Sequence, residues 1–403
     1  MTRILISAGE ASGDLHAGAV TRALKQIEPE VQVFGMGGDC LRAAGGEVIY
    51  DIKDHGVMGF VEVLRKLPDL WKLRNSFIQL MERRRPDVLL TIDYPGFNMR
   101  LAKLAKDRGI KVVSFIAPSA WAWRPSRAAG VVKVVDKIAS IFPFEYDLYK
   151  SYGADIEFVG HPLVDMVHPS LAPEEARKLA GKREGHPLVL LMPGSRAMEV
   201  ERLLPVMLDA ARLIKAQRPE IDFAMPRAVT ISRKVLEEAI KASGLEIKLT
   251  EGNNYDIMSA ADFAVATSGT VTLEAALCGL GCVILYRASA LSYWIAKQVV
   301  EIPFIGLPNI VAGRSVEPEL IQADCTPETV AKTTLKLLEP NRYALLQQDL
   351  REVRRRLGEP GAVRRVAELV LRMARPLTDQ SSLPPGGAER IESKIAAHKP
   401  FCC

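Results

Sequence analysis

The sequence has few cysteines, and they form no pattern typical of a metal site or a disulfide framework. Six occur among 403 residues, with no Cys-x-x-Cys pair and no histidine at the spacing of a zinc ligand. This argues against a structural zinc site and favours a reducing compartment, so we expect a cytoplasmic protein. No run reaches the roughly 18 apolar residues of a membrane-spanning helix, and the apolar run after Arg3 is too short for a signal peptide. Any membrane contact should therefore be peripheral.

An excess of charge of one sign is also missing. The chain carries 53 basic and 48 acidic residues, a net charge of +5. A protein that binds nucleic acid in bulk is usually more basic, so we expect no nucleic-acid partner. With 48% hydrophobic, 25% charged and only 6% aromatic residues, the composition is that of a globular protein. The length predicts two or three domains.

Two ligand-binding motifs are absent from the sequence. Neither half of the chain opens with Gly-x-Gly-x-x-Gly, which argues against a dinucleotide oxidoreductase. No Asp-x-Asp pair offers a carboxylate clamp for a metal-bridged diphosphate, so amides, hydroxyls and arginine would have to bind such a group. The sequence therefore offers no obvious motif for a metal-bridged diphosphate or a dinucleotide, and we name no cofactor.

Short β-branched runs alternate with helical patterns along the chain. Runs at residues 3–7, 31–35, 88–92, 112–116 and 137–141 are typical of strands that a parallel sheet buries on both faces. The pattern starts again at residues 188–192 and continues at 221–224, 246–250, 263–266 and 282–286. It predicts an α/β fold with two doubly wound Rossmann-like domains, residues 1–165 and 166–345, that face each other across a cleft. Helices in residues 346–375 could pack back on the first domain, and residues 376–403 read as a flexible tail.

The turn after the first predicted strand consists of small and acidic residues. Residues 9–14 read Gly-Glu-Ala-Ser-Gly-Asp. Ser12 and Gly13 would let a ligand approach the amides of a helix N-terminus. Glu10 and Asp14 would repel a pyrophosphate and favour the hydroxyls of a sugar. The same residues also suit a tight turn in which Asp14 only assists the start of the helix.

Asp93 directly follows the apolar run at residues 88–92. Catalytic groups of α/β proteins cluster at this end of a strand, and a carboxylate there could accept the proton of an attacking hydroxyl. The alternative is a loop aspartate that caps the helix after Pro95.

Two loops in the second half of the chain are suited to an anion. Both follow a predicted strand and combine glycine with hydroxyl or guanidinium groups: Gly194, Ser195 and Arg196 in the first, Ser268, Gly269 and Thr270 in the second. Free amides at their helix N-termini would bind a diphosphate, and Glu274 could accept hydrogen bonds from ribose hydroxyls. The alternatives are a turn with a surface arginine and a capping box that begins at Thr270. Two such loops in one domain favour nucleotide-diphosphate binding, which places the donor nucleotide in the C-terminal domain.

Two further segments could contact a ligand or a membrane. The loop at residues 307–314 carries Asn309 and Arg314 at a spacing suited to a ligand. Residues 57–85 interleave apolar and basic side chains at helical spacing, as an interfacial helix on anionic lipid does. The alternative for this stretch is an amphipathic helix that covers its own sheet.

Nine motifs, in order between about residues 4 and 370, resemble the lipid-A-disaccharide synthases, inverting glycosyltransferases of bacterial outer-membrane lipid biosynthesis. They lie at residues 9–14, 57–59, 92–98, 118–124, 142–145, 160–162, 193–196, 268–270 and 307–314. The resemblance implies the two-domain GT-B fold of glycosyltransferase family 19, the donor UDP-2,3-diacylglucosamine and the acceptor 2,3-diacylglucosamine 1-phosphate (lipid X). It also implies a β-1,6-linked disaccharide 1-phosphate as product, no required metal, and work at the inner face of the cytoplasmic membrane. Residues 57–85 would then make the membrane contact.

The same resemblance implies roles for single residues. Asp93 matches the family's base, and the positions that match its active-site set are Glu10, Ser12, Asp14, Arg196 and Asn309. We expect Asp93, Glu10 and Asp14 to be the catalytic carboxylates; some relatives carry a further aspartate where this chain has Gly96. UDP would lie across residues 193–196 and 268–270 while Asp93 deprotonates the acceptor's 6-hydroxyl, which displaces UDP in one inverting step. The alternatives are another UDP-sugar enzyme with this fold, such as a 2-epimerase, and a nucleotide-sugar-binding protein without activity.

Overall fold

The computed structural model describes residues 1–55, 67–123, 125–289, 293, 294, 298 and 302–375. The strands are β1 Arg3–Ala8, β2 Gln32–Gly37, β3 Glu47–Asp51, β4 Val88–Ile92, β5 Lys111–Phe115, β6 Lys137–Ser140, β7 Ile156–Phe158, β8 Leu188–Met192, β9 Asp222–Pro226, β10 Ile247–Thr250, β11 Phe263–Thr267, β12 Cys282–Tyr286 and β13 Glu319–Ile321. The helices of the first half are α1 Ala11–Ile27, α2 Asp39–Ala43, α3 Ile52–His55, α4 Leu67–Arg84, α5 Pro95–Lys106, α6 Ala120–Trp123, α7 Ala128–Val134, α8 Pro143–Ser151 and α9 Leu163–Met166. Those of the second half are α10 Pro173–Ala180, α11 Ala197–Gln217, α12 Arg233–Ser243, α13 Asn254–Ala260, α14 Thr270–Leu277, α15 Leu307–Ala312, α16 Pro327–Leu337, α17 Pro340–Arg356 and α18 Ala362–Ala374.

The strands form two parallel sheets. Within the described residues the strand order is β3-β2-β1-β4-β5-β6-β7 in the first sheet and β10-β9-β8-β11-β12-β13 in the second. In each sheet the chain first builds outward in one direction and then returns to the centre to build in the other. The reversal lies between β1 and β4, where Ile4 pairs with Val88, and between β8 and β11, where Leu190 pairs with Ala264. The prediction of two doubly wound α/β domains is confirmed, and ligands of such folds bind at these two switch points.

Apolar packing confines polar chemistry to the strand ends. All five residues of β4 and all five of β8 are buried, because helices cover both faces of each parallel sheet. Phe34, Phe77 and Phe115 are among the largest fully buried side chains of the first domain. Functional side chains are therefore expected in the loops that follow the strands and in the first turns of the helices after them.

The two C-terminal helices pack on different domains. Helix α17 packs against α14, α15 and α16 of the second domain, and its Gln347 Nε2 donates to the carbonyl oxygen of Gly279 at 2.7 Å. Helix α18 returns to the first domain and packs against α1. Asp165 accepts from the amide of Val363 at 3.2 Å, and Arg372 pairs with Glu157 at 2.8 Å. The predicted boundary at residue 345 falls inside α17, and of the two described helices near the C-terminus it is α18 that crosses back.

The described part of the predicted interfacial helix mainly covers its own sheet. In α4 the side chains of Leu73, Phe77 and Met81 are buried, whereas Trp71 is 60% exposed. Leu73 is thus a core residue and no part of a membrane-contacting surface. Residues 57–66 of the predicted stretch lie outside the described residues. In the part of the chain that the structure describes, no helix is both long enough and apolar enough to span a membrane.

Candidate active site

Glu10 and Asp93 lie at the switch point of the first sheet. Glu10 follows β1 and has extended backbone before α1, and Asp93 follows β4. Asp93 and Tyr94 both have left-handed backbone, with φ values of 49° and 50°. Two such non-glycine residues in succession are costly, and strain of this kind clusters at functional sites. The turn holds Asp93 half-buried at the end of β4, and burial raises the pKa of its carboxyl group.

The side chain of Asn98 holds this turn in place through hydrogen bonds. Its side chain is fully buried, and its Nδ2 donates to the carbonyl oxygens of Asp93 at 2.7 Å and of Ser7 at 3.1 Å. The Ser7 hydroxyl in turn donates to Asn98 Oδ1 at 2.6 Å. A single amide therefore ties the ends of β1 and β4 together beneath the two carboxylates. Sequence reasoning missed this role; the signal that could have found it is a polar amide in the first turn of the helix that follows Asp93.

Gly9 is required by the position of Tyr94. A Cβ atom at Gly9 would lie 2.2 Å from the Tyr94 ring, which is far inside contact distance. The ring also packs against Phe97, with centroids 6.0 Å apart. By contrast, a Cβ at Gly96 would meet nothing within 4 Å, so the further aspartate of some relatives would fit this turn sterically.

Charges of both domains act on Glu10. Partial desolvation and the negative charge of Asp93 raise the pKa of the Glu10 carboxyl group, and the positive charge of Arg196 lowers it. Glu10 also raises the pKa of Tyr94, after the larger effect of burial. Arg196 follows β8 in the second domain, so the two predicted loops face each other across one cleft.

The second switch point holds a cavity of about 360 Å³. Its lining contains the predicted residues Gly194, Ser195, Arg196, Ser268, Gly269, Thr270 and Glu274. It also contains residues that sequence reasoning missed, among them Pro226, Arg227, Ala228, Asn254 and Met258. The missed residues lie at or just after the end of β9 or within α13, and no glycine-rich turn marks them in the sequence. Both predicted anion-binding loops therefore line one cavity, and residues from the end of β9 and from α13 line its remaining side.

The amides of the first loop are not free. The backbone N–H groups of Ser195 and Arg196 donate to Glu199 Oε2 at 3.1 and 3.2 Å, and Arg196 Nη1 donates to Glu199 Oε1 at 3.0 Å. This corrects the expectation of unoccupied donors, because the carboxylate one turn into α11 already satisfies them as a capping box.

The second loop does not form the capping box that was the alternative to anion binding. Thr270 is the first residue of α14, and its N-cap is Gly269, with no side-chain cap. Ser268 uses its hydroxyl to donate to the carbonyl oxygen of Ile305 at 3.1 Å. Glu274 is half-buried, which raises the pKa of its carboxyl group, and it accepts from the Tyr255 hydroxyl at 3.4 Å. The carboxylate of Glu274 therefore lines the cavity while Tyr255 orients it.

Three backbone amides occupy the carboxylate of Asp14, and this geometry favours a capping role over the catalytic role that the sequence predicts. Its buried carboxylate accepts from the amides of Gly38 at 2.6 Å, Cys40 at 2.9 Å and Leu41 at 3.1 Å. These are amides at the start of α2, so Asp14 caps that helix. Ser12 remains exposed in the first turn of α1, whereas Gly13 is buried, and a Cβ atom at Gly13 would lie 3.3 Å from the Cβ of Ala8.

Asn309 and Arg314 also have structural partners. Asn309 is fully buried; its Oδ1 accepts from the Val316 amide at 2.7 Å, and its Nδ2 donates to Glu319 Oε1 at 2.8 Å. Arg314 pairs with Asp349 of α17 at 2.6 Å. Neither side chain lines the cavity at residues 192–274. Both side chains thus have structural partners, and their contact with the ligand stays a prediction. Asn309 anchors the chain next to Ile305, whose carbonyl oxygen accepts from Ser268.

Side chains that could ligate a metal are not clustered in the cleft. Across the described ranges, no group of three or more His, Cys, Asp and Glu side chains is arranged to hold a metal ion. The carboxylates of the cleft instead come singly from different strands.

Solved structures with a similar fold include a UDP-sugar epimerase and a glycosyltransferase. One is a UDP-GlcNAc 2-epimerase from Neisseria meningitidis bound to UDP-GlcNAc, with a TM-score of 0.61, 14% sequence identity, and coverage of 92% of this chain and 100% of that one. Another is a glycosyltransferase from Rickettsia africae, with a TM-score of 0.55, 13% identity, and coverage of 92% and 98%. At such identities the likeness shows the GT-B fold alone.

Sequence comparison is more specific. A family model described as lipid-A-disaccharide synthetase matches residues 4–373. The lipid-A-disaccharide synthase of Syntrophus aciditrophicus is 42% identical over 370 residues, which cover 91% of this chain and 97% of the relative. That of Myxococcus xanthus is 39% identical over 386 residues, which cover 95% and 98%. The resemblance inferred from the nine motifs is thus confirmed, and the chain belongs to the lipid-A-disaccharide synthetase family of glycosyltransferases.

Proposed function

We propose that the protein is an inverting glycosyltransferase that condenses UDP-2,3-diacylglucosamine with 2,3-diacylglucosamine 1-phosphate. The products would be the β-1,6-linked lipid A disaccharide 1-phosphate and UDP. Family membership supports the formation of a lipid A disaccharide. Two facing switch points, one with carboxylates and one with a loop cavity, support a transfer between an acceptor in the first domain and a donor in the second.

The position of Asp93 carries the proposal. Its carboxyl group lies at the end of a central strand, in a strained turn that Asn98 holds in place. Burial raises its pKa, which makes the ionised form a stronger base for the proton of the acceptor's 6-hydroxyl. Glu10, beside it and exposed, is placed to accept hydrogen bonds from sugar hydroxyls.

The leaving group belongs on the opposite side of the cleft. Arg196 is 80% exposed and can turn its guanidinium to a diphosphate, and Ser195, Gly269 and Thr270 line the same cavity. Glu274 would bind the ribose hydroxyls there. Positive charge at this position stabilises UDP as the bond to the anomeric carbon breaks. One displacement inverts that carbon and needs one base.

The acylated substrates suggest where the protein works. We propose peripheral association with the inner face of the cytoplasmic membrane through residues 57–85, with residues 1–165 on the acceptor side and 166–345 on the UDP-sugar side. Among the described side chains of this stretch, the exposed indole of Trp71, with the Arg74 guanidinium 5.2 Å from its ring centroid, is suited to a lipid interface.

The first test is the Asp93→Asn variant. Loss of a general base lowers turnover by about 10²- to 10⁴-fold, while UDP affinity should change little. Product formation from both acyl substrates is followed by mass spectrometry in EDTA, which also tests the predicted independence of metal. The matched control for a lost negative charge is Asp107→Asn. Asp107 is exposed and follows the last residue of helix α5, whereas Asp93 precedes the first. Retained turnover in the Asp93 variant would contradict its assignment, and transfer to an unacylated acceptor would point to a different UDP-sugar enzyme.

A further inference from the structure

Glu199 holds the donors that a diphosphate would need. Its two carboxylate oxygens accept from two successive backbone amides, of Ser195 and Arg196, and from the Arg196 guanidinium. All three donors belong to the loop that follows β8 and line the cavity at the second switch point. The Glu199 carboxylate thus occupies the position at the N-terminus of α11 where a bound anion would accept the same hydrogen bonds.

The loop is shaped around this carboxylate. Gly194 has a φ of 114°, and a Cβ there would lie 2.6 Å from Glu199 Oε2. On the other side of the loop, the Thr230 hydroxyl donates to the carbonyl oxygen of Ser195 at 2.6 Å. Any larger residue at position 194 would displace the carboxylate or the loop. The arrangement is therefore specific to Glu199 and does not follow merely from a helix N-terminus.

Glu199 and a bound diphosphate would act against each other. Both are anions and both require the same amides and the same guanidinium, and like charges at such distances repel. Arg196 is exposed enough to leave Glu199 and pair with a phosphate. When the donor binds, its diphosphate would replace the Glu199 carboxylate as the acceptor for these amides and this guanidinium. When UDP leaves, the carboxylate would take its place again.

We propose that Glu199 is a positioning residue that orders the donor loop and at the same time weakens its hold on the diphosphate, so that UDP can leave after transfer. This inference rests on the proposed function, because it takes a UDP-sugar as the ligand of the cavity. It assigns to Glu199 a charge effect on the diphosphate that is separate from its capping of α11.

The Glu199→Gln variant separates the charge from the cap. Glutamine at this helix position also satisfies a capping box, so we expect the variant to fold and its loop to stay ordered. We expect UDP to bind about three- to tenfold more tightly than to the wild type, with a slower dissociation rate. Uridine, which carries no phosphate, should bind both proteins equally. Isothermal titration of UDP and uridine, and stopped-flow displacement of UDP, measure these effects.

Two matched variants complete the experiment. Glu201→Gln removes the same charge two residues further along α11 without a bond to the loop and should leave UDP affinity at the wild-type value. Glu199→Asp keeps the charge and should bind UDP no more tightly than the wild type. A purely structural Glu199 would instead leave UDP affinity unchanged or weaken it in the glutamine variant.

Each other outcome overturns the inference in a recognisable way. Unchanged or weaker UDP binding by Glu199→Gln, or an equal gain for uridine, refutes the charge effect while the proposed function stands. An equal gain in Glu201→Gln shows that only net charge matters. Failure of the wild type to bind UDP at all would remove the proposed function and this inference together.

Discussion

The carboxyl group of Glu145 should make the stability of the first domain depend on pH. Glu145 is 2% exposed, at the start of α8 beyond the end of β6. Its carboxylate accepts from Trp121 Nε1 at 3.1 Å and from the amides of Ile141 and Phe142 at 3.3 and 3.4 Å. These bonds offset only part of the desolvation, and burial raises the pKa of Glu145 from 4.5 to about 7.

The sign and size of the effect follow from proton linkage. Below about pH 4.5 the group is protonated in the folded and the unfolded chain, and its contribution to stability is complete. As the pH rises from 4.5 towards 7, the unfolded chain releases the proton and the folded chain keeps it, so stability falls by about 1.4 kcal/mol per pH unit. Over this interval the loss amounts to about 3 kcal/mol, and it stays constant at higher pH.

The substitution Glu145→Gln removes the ionisation and should remove this loss. It also replaces one accepting oxygen by a donor, which costs roughly 1–3 kcal/mol at every pH. The informative quantity is therefore the change with pH of the difference in unfolding free energy between variant and wild type. We expect this difference to move in favour of the variant by about 3 kcal/mol between pH 4 and pH 8.

Urea unfolding at constant ionic strength, followed by tryptophan fluorescence, measures the difference at each pH. Trp121 is bonded to Glu145 and reports on the same region. The same exchange at Glu30, which is exposed, controls for the loss of a negative charge. A difference that stays flat from pH 4 to pH 8 would refute the view that desolvation governs this carboxyl group.

Four further substitutions test contacts near the cleft and the proposed membrane surface. Asp14→Ala leaves three amides at the start of α2 without their acceptor, so we expect the free energy of unfolding to fall by about 1–3 kcal/mol, with near-normal turnover below the melting temperature. A collapse of turnover in the folded protein would instead support the catalytic role of Asp14. Asn98→Ala releases the turn that carries Asp93, so turnover in the substrate assay should fall at least tenfold while UDP titration is unchanged; equal losses in both would indicate general misfolding. Trp71→Ser should weaken sedimentation with anionic liposomes and leave the melting temperature unchanged, whereas Leu73→Ser should lower the melting temperature because Leu73 is buried. Unchanged liposome binding of the Trp71 variant would count against the membrane proposal.

The central strands could be predicted from sequence because they are continuous apolar runs. Predicted runs at residues 88–92 and 188–192 match β4 and β8, whose residues are all buried. The strands that sequence analysis missed are β3, β7 and β13, which are three to five residues long and lie at sheet edges. An edge strand buries less surface and carries no continuous apolar run, so its pairing depends on the neighbour that the fold supplies.

The sequence pattern of residues 57–85 is compatible with a helix on a membrane and with a helix on a sheet. Apolar residues at helical spacing predict an amphipathic helix, but the spacing does not identify what the apolar face contacts. In α4, Leu73 and Phe77 are buried in the core of the first domain, whereas Trp71 remains exposed. Burial is decided by the packing of the helix on the sheet, which the sequence of the helix does not contain.

The order of strands and loops along this chain determined which residues stand at strand ends, because a β-strand followed by a helix leaves its turn at one edge of a parallel sheet. That local rule is enough to assign Glu10, Asp93 and Arg196 to turns. Which turn residues face the cleft was decided only by tertiary structure. The carboxylate of Asp14 binds amides 24 to 27 residues away, and both ends of the Asn309 amide are used within the buried protein. A hydrogen bond depends on distance and direction in space, and those become defined only when distant segments of the chain are packed together.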